Sequence, residues 1–533
     1  MTRARVTIHW KRIRADVERV LASRDGLVLI GLATLVVVWW VWGALSPVAV
    51  IVDERSYLLQ ARIFASGQWS APAPPLPEFF QQSHVIVTPT LASKYPPGHA
   101  LLLAIGALFG APMLVSLLLS GVTGALFFGL ARRLTNVWIA LLAWLVWLGD
   151  PINLRFRPSY FSEVTTGALW LGGWWALLEW RATGKRRWMV ALAAACGYGA
   201  ITRPLTMLVF AIPVSVVVLR DVVRRKTYRD LAAGLAVGLA LLAVIPLWSW
   251  RTTGDWRQTP LAAYRRDYLP FDRLGFSVDS TPPARTLSPP EMGVYKPFLA
   301  GAKAHARDGL LATVGDRTAE FRRQEWGGVR VVLGLLALAG LFAAGAGGWF
   351  AFATCVLLFA AHLPYPTFAA WTLYYFETLP VLALLSAIGV RTLVRRMALA
   401  AAWRPPESWL ARAPLAATLL LVALVTGSFA SNVGRWHSTH VASARDDTAF
   451  LRLLEEVRGH RVVIFVRYAK RLSPHAPVVG GAPDLEREPI WLVHDRGRAE
   501  DERLMEFAQY RVPLVFDEVT GQLRMLRRAS SRR

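Results

Sequence analysis

Cysteine is almost missing from these 533 residues: there are two, Cys196 and Cys355, each inside an apolar run. That excludes a disulfide framework and a paired-cysteine zinc site, and neither thiol is expected to be reactive. Acids are scarce as well, 36 against 60 Lys and Arg, for a formal net charge of +24. In a soluble chain that balance would suggest nucleic acid. Here the cations cluster in short stretches between apolar blocks, at 132–133, 181–187, 220–229 and 391–412, the way positive charge is kept on the inner side of a membrane. No nucleic-acid partner is expected. Glycine-rich phosphate loops, HExxH and GxSxG are absent, so nucleotide, zinc-protease and serine-hydrolase chemistry lack support, and no internal repeat appears. What the chain has in quantity is apolar surface: 54% of its residues are hydrophobic, and they fall in blocks long enough to cross lipid. The reading is a polytopic α-helical membrane protein in contact with membrane lipids.

Eleven crossings are expected, at 27–51, 112–131, 136–149, 164–180, 188–202, 204–219, 230–249, 329–345, 348–363, 374–391 and 413–431. The stretch from Gly98 to Phe109 is too short for a span and is expected to be re-entrant or to lie on the surface. Arg3, Arg5, Lys11, Arg12, Arg14, Arg19 and Arg24 precede an apolar segment too long for a signal peptide, so residues 1–26 read as a cytoplasmic basic segment ahead of an uncleaved anchor. An odd number of spans then carries the tail to the other side. The expected domains are a transmembrane unit over 27–431, with exterior loops 52–111, 150–163 and 250–328, and an exterior α/β unit over 432–533. That unit rests on an amphipathic stretch near 445–458, apolar runs at Val462–Val466, Ile490–Val493 and Val512–Phe516, and a charged helical stretch at 499–509.

Polar residues collect at the outer ends of these spans. Asp53 and Glu54 stand where the first apolar run ends, and Tyr57, Leu58, Ala61, Phe64 and Ala65 then fall on one helical face before Gly67 stops it. An ionisable pair at a membrane surface is a functional candidate, and Asp53 as a helix N-cap is the competing reading. Lys94-Tyr95-Pro96-Pro97-Gly98-His99 projects Lys94 from a stiff loop, because the prolines impose an extended approach. Further on come Asp150, Arg155, Arg157, Tyr160 and Glu163, then Thr202-Arg203-Pro204, then His362, Tyr365, Tyr374, Tyr375 and Glu377 with Pro380 behind them.

An acidic pair in the first loop, a Lys followed by Pro-Pro, an acidic second loop, Thr-Arg-Pro between spans and a late Tyr-Tyr with Leu-Pro resemble, in that order, the GT-C membrane glycosyltransferases. The likeness covers roughly 27–391 and is nearest to the protein O-mannosyltransferase and lipid A aminoarabinose transferase branch. It implies a hexosyl or pentosyl transferase of the bacterial cytoplasmic membrane. Such an enzyme takes sugar from a polyprenyl-phosphate carrier and passes it, with inversion, to a lipid, glycan or protein acceptor. By resemblance Asp53 is the general base with Glu54 beside it, and Lys94, Arg157 and Arg203 face the lipid phosphate, with Tyr57, His99, Asp150 and Glu163 completing the substrate site.

Each assignment has a structural rival. Lys94, Arg157 and Arg203 can reach to headgroups, Glu163 can serve a helix dipole, and Asp150 can cap a turn before Pro151. Tyr374 and Tyr375 can belong to an interfacial aromatic belt. His84 and His99 lack metal-ligand spacing, and no metal or other cofactor is expected, although the family divides on metal use. Burial is expected to raise the basicity of Asp53. The loop 250–328, with Asp255, Tyr264, Arg265, Arg266, Asp267 and Tyr268, matches no motif and is expected to cover the site and read the acceptor. A transporter or flippase for a lipid-linked sugar is the rival function, and an inactive envelope scaffold a third.

Overall fold

The computed structural model describes residues 2–44, 47–405, 408–469 and 479–526. The expectations for Met1, and for 470–478 and 527–533 of the tail, lie outside the described residues. Each of the eleven expected spans falls on a helix, and the first ends earlier than its apolar run. Helix Arg24–Trp42 stops because Gly43 turns left-handed (φ 77°) and its N–H closes on the carbonyls of Trp39 and Trp40. Among the described residues seven helices are long and apolar enough to cross a membrane, or eight if Pro289–Glu325 and Gly328–Ala343, bent by 105°, form one broken span. The other expected spans fall on Val137–Leu148, Glu163–Thr183, Arg186–Ala200 and Val331–Ala343, outside those seven by length or composition. The stretch too short for a span forms a ten-residue helix, Gly98–Ala107.

Packing between helices relies on backbone approach. A Cβ added to Gly340 would overlap the Leu385 carbonyl, and one added to Gly389 would overlap that of Leu336. Helices Val331–Ala343 and Leu379–Ala401 therefore touch main chain to main chain, as small residues permit inside lipid. Behind them a core of aromatic and aliphatic side chains includes Phe127, Trp147, Ile152, Phe376 and Leu379.

The loop 250–328 is mostly helical. Thr259 caps helix Pro260–Tyr268 by accepting from the Ala262 N–H, and Pro289–Trp326 is broken at Gly309 (φ 73°). The first loop carries helix Val52–Ala65 and a three-stranded antiparallel sheet in which Thr90–Ser93 is central. That helix differs from the expected surface helix: Glu54 and Ser56 are buried along with Tyr57, Leu59 and Ile63, so it is enclosed by protein on several sides.

Beyond the long helix Trp409–Ser443, the tail folds as a four-stranded sheet in the order Ile490–His494, Val462–Arg467, Val512–Asp517, Gln522–Met525. Its first three strands are parallel and the last antiparallel. Alternation along Val462–Arg467 serves two cores, since successive side chains point to opposite faces. Val462, Ile464 and Val466 meet Phe450 and Phe516. Val463 and Phe465 meet Leu504 on the other face, and that face is completed by Phe79 and Phe80 of the first loop.

Candidate active site

Asp53 lies in the first turn of helix Val52–Ala65, but it is not the cap. Glu54 closes the turn: one carboxylate oxygen accepts from the Val50 and Ile51 N–H groups at 3.2 and 3.1 Å, and the other accepts from Tyr160 N–H at 2.9 Å. Glu54 thus serves the N–H groups at the helix start, and Asp53 faces other neighbours. Asp53 Oδ1 accepts from the Tyr95 hydroxyl, and Oδ2 is 3.5 Å from His84 Nε2. Burial pushes the Asp53 carboxyl upward, yet the His84 ring, the Tyr95 hydroxyl and the Lys94 ammonium outweigh it and hold the group below the usual carboxylate range. This reverses the expected gain in basicity, because the partners that stabilise the anion come from distant parts of the first loop.

Lys94 follows the central strand, its N–H bonded to the His84 carbonyl at 2.9 Å. Its ammonium lies 5.1 Å from the Tyr95 ring centre and 4.9 Å from that of Tyr264. Among the described residues it has no hydrogen-bond or ion-pair partner. Burial lowers its affinity for a proton while Asp272 and Asp53 act against that.

Asp53, Tyr57, Lys94, Glu163 and Arg203 line one cavity of about 410 Å³. Arg203 pairs with Glu163 and faces the Tyr374 ring at 5.6 Å. Tyr57 donates to Ser162 Oγ at 3.0 Å and stacks on Tyr95. Helix Gly98–Ala107 fixes Lys94 relative to Arg203, since Gly98 N–H donates to the Ile201 carbonyl at 2.8 Å.

Four predicted site residues do not reach this wall. Glu54 is spent on the helix terminus as described. Arg157 is sandwiched between Trp147 and Phe376, each ring centre 4.7 Å away, and bonds Asn153. His99 has both ring nitrogens engaged, with Thr165 Oγ1 and the Tyr160 carbonyl. Asp150 caps helix Pro151–Phe156 and forms a buried pair with Arg330 at 2.9 Å. These four brace the cavity from behind.

Other cavity residues stood outside the predicted site. His84, Tyr95, Arg265, Asp272 and Tyr365 share the wall, and Arg265 pairs with Asp272 at 3.1 Å. Tyr95 sat inside a motif already singled out, whereas His84 and Asp272 carry no local pattern and become neighbours only through the fold. Among the described residues no group of three or more His, Cys, Asp or Glu side chains gathers to hold a metal ion.

Residues 94–250 match the family model for dolichyl-phosphate-mannose-protein mannosyltransferase. That match spans less than a third of the chain and is a likeness over this segment. The matched segment opens at Lys94 and contains Glu163 and Arg203, while Asp53 precedes it. Among solved structures the chain is similar to ArnT from Cupriavidus metallidurans bound to undecaprenyl phosphate. Identity there is 16% over 93% of this chain and 91% of that one, with a TM-score of 0.48. It is also similar to an oligosaccharyltransferase from Archaeoglobus fulgidus, at 13% identity over 79% of this chain and 57% of that one, with a TM-score of 0.46. No curated protein matches the chain.

Proposed function

We propose that this protein is a GT-C membrane glycosyltransferase that transfers a sugar from a polyprenyl-phosphate carrier to an acceptor hydroxyl or amine, with inversion, at the outer face of a bacterial cytoplasmic membrane. Its amino terminus would lie in the cytoplasm and its carboxyl-terminal sheet outside, with no metal or other cofactor required. The observation that carries this reading is that Asp53 and the unpartnered Lys94 ammonium open into one cavity.

The chemistry follows from the two charges. The acceptor oxygen or nitrogen attacks the anomeric carbon as the bond from that carbon to the phosphate oxygen breaks. The acceptor's proton passes to Asp53, and the electron pair of the broken bond stays on the polyprenyl phosphate. Negative charge grows on that phosphate, where Lys94 and Arg203 supply fixed cations. Phosphate on Lys94 also weakens the ammonium's pull on Asp53, so the carboxylate is a stronger base in the loaded cavity than alone. Leu261, Arg265 and Asp272 of loop 250–328 line the same cavity, which supports a role for that loop in meeting the acceptor.

Asp53→Asn is expected to leave the protein folded and to lower transfer by about 10²–10⁴-fold, the range of a positioned base. Purified wild type and variant are compared with undecaprenyl-phosphate-linked pentose and hexose donors carrying a labelled sugar. Equal transfer by the two would overturn the assignment.

A further inference from the structure

His84 stands apart from its surroundings in three ways. Its backbone is left-handed, with φ 68°, a conformation that costs energy in a residue other than glycine and persists where neighbours enforce it. Enforcement comes from three bonds: its N–H donates to the Tyr264 hydroxyl at 3.0 Å, and its carbonyl accepts from Ser56 Oγ at 2.8 Å and from Lys94 N–H at 2.9 Å. Ser56 lies one turn beyond Asp53 on the same helix, so the strap ties His84 to the element that carries the carboxylate. The ring is buried, packed edge-on against Tyr95 and Tyr264, with Nε2 facing Asp53 Oδ2 and Nδ1 without a hydrogen-bond partner among the described residues.

The orphaned Nδ1 fixes the tautomer. A proton there would be a buried donor with no acceptor and would leave the Nε2 lone pair pointing at a carboxylate, two penalties at once. A proton on both nitrogens keeps the first penalty and adds the charge of nearby Lys94, and burial with that ammonium disfavours the imidazolium. The neutral ring with its proton on Nε2 avoids both. At 3.5 Å the contact is at the outer limit of a hydrogen bond, and contacts of this kind tighten when substrate is in place.

We infer that His84 is a positioning residue: strained and strapped in place, it holds Asp53 Oδ2 while Tyr95 holds Oδ1, so the carboxylate meets the incoming acceptor in one orientation. This rests on the role proposed for Asp53. Groups facing the His84 ring from the packed elements are Asp53, Lys94, Tyr95, Tyr264 and Asp272.

Two substitutions separate this role from a purely structural one. Asparagine tolerates the left-handed backbone but is too short to reach Asp53, and glutamine places an amide N–H near the position of Nε2. The full-length chain in lipid nanodiscs is followed by infrared difference spectroscopy, each protein minus its Asp53→Asn counterpart, as the pH is stepped from 7 to 4. Wild type is expected to show no protonated-carboxyl band from Asp53 over that range. In His84→Asn the ring's hold is gone while burial remains, so the band is expected to grow in at higher pH than in wild type, with His84→Gln closer to wild type. Sugar transfer by His84→Asn is expected to fall on the order of tenfold to a hundredfold in kcat with KM little changed, and to recover in part in His84→Gln. A His84→Asn protein with the spectrum and rate of wild type would overturn the inference. Equal impairment of both variants without a shift in the band would do so too. Should Asp53→Asn itself transfer sugar normally, the proposed function fails while the spectra still decide whether His84 holds the carboxylate.

Discussion

Carboxylates in this protein look alike in sequence and diverge once their partners are known. Asp53 and Glu54 are neighbours, yet Asp53 lies below the usual carboxylate range while Glu54 is pushed up to about 7. The cause of the second shift is burial, which prevails over three backbone N–H donors. The folded state therefore binds the Glu54 proton more tightly than the unfolded chain does. Its contribution to stability is fully present below pH 4.5 and is lost as pH rises through about 7. Glu54→Gln is expected to remove that slope from a plot of unfolding temperature against pH in detergent. It is also expected to cost about 1–3 kcal/mol, because an amide can accept at one end only. Sequence alone brought Asp53, Lys94, Glu163 and Arg203 into view, since charged side chains beside apolar runs are few and their order is informative. It could not show that Asp150 is neutralised by Arg330, 180 positions away, or that Asn153, Trp147 and Phe376 claim Arg157. The role of an ionisable residue depends on what the fold places opposite it, and those partners come from far along the chain.

Helices were legible where length and composition spoke together, as in Met113–Leu134 and Pro204–Arg225. The helices of loop 250–328 were not, because no apolar run announces them, although Thr259-Pro260 and Ser288-Pro289 are recognisable start signals. The close approach of Val331–Ala343 to Leu379–Ala401 left only two unremarkable glycines as its trace. That approach yields a test: Gly389→Leu forces a side chain against the Leu336 carbonyl, an overpacking expected to cost about 1–3 kcal/mol or to part the helices. A lower unfolding temperature in detergent, with the protein still inserted in membranes, is the expected result. An unchanged temperature would mean that the two backbones do not touch.

Taken whole, the molecule joins a helical bundle to a tail sheet through the loop that holds the catalytic candidates. Phe79 and Phe80 are fully buried against Val463, Phe465 and Trp491, and His494 Nε2 meets the Gln81 carbonyl at 2.6 Å. Phe79→Ala is expected to cost about 3–5 kcal/mol at that seam. Limited proteolysis of the detergent-solubilised protein is expected to release the tail sooner in the variant, and identical digestion would argue against the seam. The sheet was foreseeable from its short apolar runs, but its docking surface was not, since Phe79 and Phe80 lie among prolines with no periodicity around them. A practical consequence follows for anyone wishing to shorten this protein. A chain ending after Ser443 would retain every residue around the cavity, yet two phenylalanines would be stripped of their shelter and the segment bearing His84 and Lys94 would lose one of its anchors. Such a truncation is expected to be silent in catalysis despite an intact set of reactive groups.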